Sequence, residues 1–217
     1  LFRSVKCVEF VDRHLGEVVG AARSAGYVIL ITADHGNIEE TVTDEGSVHV
    51  SHTTNPVPLF IIDPLGERVV EPAQGKLADI APTILDILGV KVSTLMTGKN
   101  LAQDHVFGEN RKVLLIILDG WGISPRSEQD PIAIGKTHVW DRLMRDYPHA
   151  MLAASGDAVG LKPGKAGNSE AGHINIGAGR VILQDDVRLD MAMKDGSFYS
   201  NEVIVTTINV VKERGTA

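Results

Sequence analysis

Two short apolar runs constrain the fold of this chain more than any other feature. Residues 27–33 and 112–118 are rich in β-branched side chains and have the length of buried strands, and an acidic residue and a glycine follow each of them. Strands that alternate with helices predict an α/β fold: a three-layer, doubly wound, mostly parallel sheet with helices on both faces. Further strands are predicted at 57–62 and 150–154, and helices at 1–25, 77–89, 137–146, 170–176, 186–194 and 201–214.

The ends of the two apolar runs carry candidate metal ligands. Asp34 and His35 follow the first run and Asp119 follows the second, so all three lie where open α/β sheets place their ligands. A carboxylate beside a neutral imidazole suits Zn²⁺ or Mn²⁺. Either motif alone is also found in ordinary turns, but two such ends in one chain predict a shared rim that binds a metal ion.

Two polar loops add further candidate residues. Glycines surround Ser169 in the segment 164–180, and the small residues after it predict a helix whose N-terminus would face an anion. The segment lacks the Gly-Lys-Ser/Thr ending of a Walker A loop. His49 and His52 lie in a second loop, before the strand at 57–62, and are either exposed loop residues or further metal ligands.

Composition limits the classes of function. A chain of 217 residues with 43% hydrophobic content can bury one core, and its net charge of −7 disfavours nonspecific binding to nucleic acid. The single cysteine, Cys7, excludes an internal disulfide and lies near the apolar stripe of the first helix, where a buried thiol is expected. Neither membrane insertion nor secretion is indicated. These features predict a cytoplasmic protein without a nucleic-acid or membrane partner.

Five stretches of the chain together resemble one family. They are Thr-Ala-Asp-His-Gly-Asn at 32–37, His-Thr-Thr-Asn-Pro-Val-Pro at 52–58, Leu-Asp-Gly-Trp-Gly at 118–122, Gly-Asn-Ser-Glu-Ala-Gly-His at 167–173 and Asn-Ile-Gly-Ala-Gly-Arg at 175–180. With these motifs the chain resembles the phosphatase domain of cofactor-independent (2,3-bisphosphoglycerate-independent) phosphoglycerate mutases, in the alkaline phosphatase superfamily. The resemblance covers nearly the whole chain.

The order of the motifs differs from the order in that family. There the Asp-Gly-Trp-Gly strand comes first, a transferase domain is inserted after the serine loop, and the Asp-His-Gly-Asn segment comes last. Here residues 1–101 resemble the C-terminal part and residues 112–217 the N-terminal part. This order predicts a circular permutation with a polar linker at 102–111, which is tolerated where chain termini lie close together. We expect residues 1–217 to form a single phosphatase-type domain without the transferase domain.

The resemblance implies metal-dependent phosphoryl transfer through a phosphoserine, as in the interconversion of 3-phosphoglycerate and 2-phosphoglycerate in glycolysis. Ser169 would be the nucleophile. One divalent cation, Mn²⁺ or else Zn²⁺ or Co²⁺, would be bound by four side chains: Asp34, His35, Asp119 and Ser169.

The resemblance also implies a second cation, with His52 among its ligands, and a role for Asn168 in holding the phosphoryl group. In the family an aspartate and a histidine of the second site lie just before the helix that begins at Leu1, and they are absent here. We therefore expect one nearly complete metal site and one that lacks ligands. The groups that hold phosphoglycerate lie mainly in the missing domain, so the chain is expected to be a weak mutase or phosphatase of a phosphorylated small molecule. The rim left by that domain is expected to permit self-association.

Two alternatives stay open. The first is another member of the alkaline phosphatase superfamily, namely a phosphopentomutase, a nucleotide pyrophosphatase or a sulfatase. Those typically use a threonine or a modified cysteine as the nucleophile, and Asn168-Ser169-Glu170 speaks against them. The second is a non-catalytic fragment or binding module of the same fold, since ligands of the second metal are absent.

Overall fold

The computed structural model describes residues 2–43, 46–66, 69–125 and 127–215. The strands are β1 (Tyr27–Thr32), β2 (Val57–Ile62), β3 (Gly75–Lys76), β4 (Lys112–Ile117) and β5 (His149–Ala153). The α-helices are α1 (Phe2–Ser24), α2 (Ile80–Ile87), α3 (Pro131–Ile134), α4 (His138–Asp146), α5 (Ser169–Ala178), α6 (Asp185–Lys194) and α7 (Glu202–Arg214). Short 3₁₀ turns lie at Leu77–Asp79, Ser127–Gln129, Gly156–Val159 and Ser197–Ser200. The strands and helices expected from the sequence are confirmed to within a few residues, although the segment 77–89 divides into a 3₁₀ turn and α2.

The five strands form one mixed sheet in the order β3-β5-β2-β1-β4. Strand β1 is parallel to β4 and antiparallel to β2, and β2 is antiparallel to β5, which is parallel to β3. Four strands therefore run in one direction and β2 in the other, which confirms a mostly parallel α/β sheet. All residues of β2 are buried. Since successive side chains of a strand point to opposite faces, both faces of the sheet are covered.

Strand β4 lies at the edge of the sheet. Its residues from Val113 to Ile117 are half-buried, whereas β1 beside it is almost entirely buried. The sequence predicts a buried strand at both places, because the apolar run alone does not distinguish an edge position from a central one. The parallel register pairs Thr32 of β1 with Ile117 of β4. The residues that follow the two strands therefore leave the sheet side by side.

Helix α1 packs against β1 and against α3 and α4. Its Asp12 is 3% exposed and accepts hydrogen bonds from the backbone N–H groups of Val139 (3.0 Å) and Trp140 (2.7 Å), which are free donors at the N-terminus of α4. Cys7 is exposed, so the expectation of a buried thiol was wrong. One residue along a helix turns the side chain by about 100°, which takes Cys7 away from the buried stripe. That stripe consists of Val8, Leu15, Val19 and Ala22.

The segment 102–111, expected as a polar linker, is anchored to the rest of the chain. Asp63, whose side chain is fully buried, receives the guanidinium of Arg111 at 3.0 Å and lies 3.4 Å from Nε2 of His105. Ala102 is 1% exposed, and Phe107 packs against the core. A buried carboxylate between two basic side chains holds the segment at both its middle and its end.

The chain divides into two compact units, Leu1–Ile182 and Leu183–Ala217. The expected single domain over residues 1–217 stays a prediction. The second unit contains α6 and α7, whose helical residues are all at least partly exposed. On α7 the apolar side chains of Val203 and Ile208 are 74% and 59% exposed. Within the described ranges, none of the helices combines the length and the apolar character needed to cross a membrane.

Candidate functional site

The loops after β1 and β4 bring three of the expected site residues together. Because Thr32 is paired with Ile117, Asp34 and Asp119 each lie two residues beyond a matched pair. His35 Nε2 lies 3.6 Å from Oδ2 of Asp34 and 3.5 Å from Oδ1 of Asp119. Among the described residues, these three form the group of carboxylate and imidazole side chains close enough to share a metal ion, with their ligand atoms within 4.8 Å of one another.

Helix α5 brings the serine to the same place. Ser169 is the first residue of α5, and its Oγ lies 3.0 Å from Nε2 of His35. Asn168 caps the helix, because its side-chain oxygen accepts a hydrogen bond from the N–H of Ala171 at 2.8 Å. The cap leaves the Nδ2 donors of Asn168 and the first N–H groups of the helix for another acceptor.

Asp34 shows that this cluster suits a cation. Its Oδ1 accepts hydrogen bonds from the N–H groups of His35 (3.1 Å) and Gly120 (3.2 Å). Its Oδ2 is buried and has no hydrogen-bond partner. A buried carboxylate oxygen without a donor is costly, and coordination of a cation removes that cost. Two carboxylates, an imidazole and a hydroxyl are donors that Mn²⁺ and Zn²⁺ accept.

The hydrogen bonds of the imidazoles leave one nitrogen of each ring for a ligand. Nδ1 of His35 lies 3.1 Å from the carbonyl oxygen of Gly36, and Nδ1 of His52 lies 2.9 Å from that of Gly167. A carbonyl only accepts, so in the neutral rings Nδ1 carries the proton and Nε2 keeps its lone pair. The carbonyls thus orient both rings in the way that is common for metal-bound histidines.

His52 lies beside the cluster but not within it. Its ring stacks on that of His35, with the ring centroids 3.9 Å apart and the planes inclined by 22°. His49, the other histidine of that loop, instead has its Nδ1 2.9 Å from the carbonyl oxygen of Glu40. The structure therefore places His52, but not His49, against a residue of the cluster.

Two glycines permit the close approach of the serine loop and α5 to the end of β1. A Cβ atom on Gly167 would lie 3.0 Å from Cβ of His35, and one on Gly172 would lie 2.8 Å from Cβ of Asp34. Both would also meet backbone carbonyl oxygens, of Ala154 and Asp34 respectively. Any larger residue at either position would push Ser169 away from the carboxylates.

Glu39 organises the loops around the cluster, and the sequence analysis did not single it out. It is 1% exposed and accepts hydrogen bonds from the N–H groups of Asn37 (2.7 Å) and Gly122 (3.1 Å) and from the hydroxyl of Thr53. One carboxylate thereby joins the loop after β1, the loop that carries His52 and the loop after Asp119. Nothing in the sequence distinguishes Glu39 from the adjacent Glu40.

Asp130 lies in the electrostatic field of Glu39. The pKa of Asp130 is raised from 3.8 to about 6, chiefly by burial and to a smaller extent by the charge of Glu39, while hydrogen bonds from the N–H groups of Ile132 and Ala133 act in the opposite direction. The Asp130 carboxylate caps α3, with the Ile132 nitrogen at 2.7 Å. This acid therefore retains its proton into the weakly acidic range.

His173 is a second residue that the sequence analysis did not assign. Its Nδ1 lies 3.4 Å from the unpartnered Oδ2 of Asp34 and 2.9 Å from the carbonyl oxygen of Ser169, and about half of its side chain is exposed. His173 follows Ser169 by four residues, so both lie on one face of α5. That spacing is the signal by which the sequence could have identified it.

A cavity of about 410 Å³ opens beside the cluster. His35, His52 and Asp119 line one part of it, and α1, β4 and the loops that follow β1 and β4 supply the rest of the wall. Cys7 is among the lining residues. The cluster is thus accessible to a small molecule from one side.

Comparisons with known proteins identify a family for most of the chain. A family model described as "Metalloenzyme superfamily" matches residues 2–92 and 111–214. The 2,3-bisphosphoglycerate-independent phosphoglycerate mutase of Moorella thermoacetica is 47% identical over 108 residues, which are 50% of this chain and 21% of that protein. The enzymes of the same name from Bacteroides fragilis strain YCH46 and Desulforudis audaxviator are 48% identical over 106 residues and 45% identical over 108 residues; these cover 49% and 50% of this chain and 21% of each relative.

The chain thus spans about a fifth of the length of the curated relatives it matches. No solved structure matches it significantly. The family model, in contrast, accounts for most of the chain on both sides of the segment 93–110 and includes the residues that carry the donor cluster. The chain therefore belongs to the metalloenzyme superfamily.

Proposed function

We propose that this chain carries out metal-dependent phosphoryl transfer through Ser169, in the manner of a phosphoglycerate mutase. On this proposal it interconverts 3-phosphoglycerate and 2-phosphoglycerate weakly, or hydrolyses phosphomonoesters. One observation carries the proposal: the hydroxyl of Ser169 lies 3.0 Å from Nε2 of His35, beside a buried oxygen of Asp34 that has no hydrogen-bond partner. The names of the relatives support the same reaction class.

The proposed cation is Mn²⁺, although Zn²⁺ and Co²⁺ suit the same donors. Its ligands would be Asp34, His35, Asp119 and Ser169. When bound, the cation stabilises the serine alkoxide and neutralises charge on the phosphoryl oxygens. We propose that a second cation at His52 is weak or absent, because among the described residues a single group of three or more such ligands is found.

The residues of the chain then have separate roles. Ser169 Oγ attacks the phosphorus, the Oγ–P bond forms, and the P–O bond to the substrate alcohol breaks. The alcohol leaves with a proton, and the phosphoserine passes its phosphoryl group to water or to another hydroxyl of the glycerate. The Nδ2 donors of Asn168 and the N-terminal N–H groups of α5 would receive the phosphoryl oxygens.

Detection of a phosphoserine tests the proposal. After incubation with Mn²⁺ and p-nitrophenyl phosphate or 3-phosphoglycerate, mass spectrometry should locate the phosphoryl group on Ser169. Ser169→Ala should remove both the adduct and the turnover while leaving the fold intact by circular dichroism. Ser24→Ala, which alters an exposed serine at the end of α1 and outside the cluster, is the matched control. A chain that binds Mn²⁺ but forms no adduct and turns over neither compound would refute the proposal and support the binding-module alternative.

Asp34→Asn tests the metal site without any measurement of activity. Asparagine keeps the oxygen that accepts from His35 and Gly120 but removes the unpartnered anionic oxygen. The metal-free variant should therefore be more stable than the wild type, by about 1–3 kcal/mol, while stabilisation by Mn²⁺ disappears. A metal-free variant that is less stable than the wild type would contradict the assignment of Asp34 as a ligand.

The remaining proposals concern the setting of the reaction. We propose a role in glycolysis and a cytoplasmic location, supported by the names of the relatives and by the single thiol. The circular permutation stays a proposal, and it rests on the order of the motifs, because the segment 32–37 precedes the segment 118–122 in this chain. Self-association is a further proposal, and a monomer in light scattering at high protein concentration would rule it out.

A further inference from the structure

The cavity beside the cluster has two chemically different parts. His35, His52 and Asp119 form the polar part, next to the hydroxyl of Ser169. The rest of the lining is mostly apolar and is supplied by α1, β4 and the loops that follow β1 and β4, with Asn37 as a further polar residue. Its residues include Val8, Val11, Ile38, Ile117, Leu118 and Trp121.

No lysine or arginine lines this cavity among the described residues, and its charged group is the carboxylate of Asp119. A phosphoglycerate has a carboxylate besides its phosphoryl group. Within this cavity that carboxylate would leave water without a cationic partner and would face apolar side chains, which is unfavourable. An aryl or alkyl group in the same place would bury its apolar surface against apolar side chains, which is favourable.

We propose that the site of this chain, acting by itself, prefers phosphomonoesters of apolar alcohols to phosphoglycerates. This inference rests on the proposed function, since it assigns the substrate class of the same site. The apolar alcohol lies along Val11 and Trp121, and the phosphoryl group lies at Ser169. In the first step the Oγ–P bond forms, the P–O bond to the alcohol breaks, and the alcohol leaves with the proton of the serine hydroxyl. Water then cleaves the phosphoserine, which releases inorganic phosphate and restores the hydroxyl.

Cys7 offers a way to change this preference. Its side chain is exposed and lines the cavity from α1, so a longer residue fits there without repacking the core. Cys7→Lys places a cation where a carboxylate of the substrate would lie. Val18→Lys is the matched control, since Val18 is 45% exposed and lies three turns along the same helix, outside the cavity.

The first experiment compares kcat/KM for benzyl phosphate, which like 3-phosphoglycerate is the ester of an aliphatic alcohol, with kcat/KM for 3-phosphoglycerate in the presence of Mn²⁺. The wild type should favour benzyl phosphate by about tenfold, which corresponds to the burial of about two methylene groups. Cys7→Lys should reduce this ratio by about threefold to fivefold, as one partly exposed ion pair would, and Val18→Lys should leave it unchanged. Equal or better turnover of 3-phosphoglycerate by the wild type would overturn the inference.

The second experiment measures binding without turnover. In Ser169→Ala, the alkylation rate of Cys7, the single thiol of the chain, reports whether the cavity is occupied. Benzyl phosphate with Mn²⁺ should slow alkylation at concentrations about tenfold lower than 3-phosphoglycerate does. Equal protection by the two compounds, or protection by neither, would overturn the inference. Because this measurement needs no catalysis, an absence of phosphoryl transfer would refute the proposed function and leave the preference to be decided here.

Discussion

Replacing Gly172 by alanine is expected to loosen the metal centre, whereas the same change at Gly177 on the same helix is expected to be harmless. A Cβ atom on Gly172 would lie 2.8 Å from Cβ of Asp34 and would also meet the carbonyl oxygen of that residue. A Cβ atom on Gly177 would have nothing within 4 Å. Both glycines are helical, so the two substitutions differ in what they contact and not in backbone conformation.

The magnitude follows from two opposing effects. Alanine is favoured over glycine inside a helix by about 0.5–1 kcal/mol, and both variants gain this. Overpacking against backbone, which cannot rotate away as a side chain does, costs about 1–3 kcal/mol, and only Gly172→Ala pays it. The free energies of unfolding of the two variants should therefore differ by about 2 kcal/mol. A shift of α5 also moves Ser169 away from His35, so Mn²⁺ should bind Gly172→Ala about tenfold more weakly.

Urea denaturation without metal measures the first effect, and calorimetric titration with Mn²⁺ measures the second. Gly177→Ala should unfold at a slightly higher urea concentration than the wild type and should bind Mn²⁺ with unchanged affinity. If Gly172→Ala matched Gly177→Ala in both measurements, the close approach of α5 to β1 would not be what positions the serine, and the reasoning would be refuted.

Three further predictions concern buried carboxylates away from the cluster. Because burial raises the pKa of Asp130 to about 6, the folded state holds this proton where the unfolded chain has released it, so stability should fall by about 2–3 kcal/mol as pH rises from about 4 to 6.5. Asp130→Asn should remove that loss in pH-dependent urea denaturation, and an identical pH profile for both proteins would contradict it. Asp12→Ala should lower the free energy of unfolding by about 2–3 kcal/mol in urea denaturation, because two N–H groups of α4 lose their acceptor. Asp12→Asn should lower it less, and equal losses for the two variants would argue against capping by Asp12. Arg111→Ala leaves the carboxylate of Asp63 buried without the guanidinium, so it should lower the free energy of unfolding by about 3–5 kcal/mol. The double variant Arg111→Ala/Asp63→Asn should lose less than this single variant, and strictly additive losses would exclude the ion pair.

The elements of this fold were predictable from the sequence because their signal is local. Apolar spacing within a dozen residues indicates the longer helices and strands, and the motifs after β1 and β4 indicate the rim. The two-residue strand β3 and the four-residue helix α3 are too short for such a signal, and the sequence did not predict them. The direction of β2 was not predictable in this way. A parallel neighbour of β1 requires a crossover, usually a helix, and the described residues between β1 and β2 contain none. The absence of helical spacing between residues 33 and 56 was the available signal.

The candidate site was only partly predictable, and the reason lies in how its residues are held. Asp34, Asp119 and Ser169 belong to motifs with recognisable neighbours, so the sequence marks them. Glu39 acts through hydrogen bonds to three loops, and it has no motif of its own. His173 becomes notable only once α5 is known to begin at Ser169. Residues that organise a site through tertiary contacts therefore need the folded chain to identify them.

The sheet explains why the order of the two parts of the chain matters little for this site. Strands β1, β2 and β3 come from residues 1–101 and β4 and β5 from residues 112–217, yet in the sheet they interleave, with β5 between β3 and β2. Neither part can complete the sheet alone, so the two must fold together whichever comes first. The cluster has the same property, since Asp34 and His35 come from one part and Asp119 and Ser169 from the other. What the site requires is the parallel pairing of β1 with β4 and the close approach of α5, and both are fixed by packing rather than by chain order.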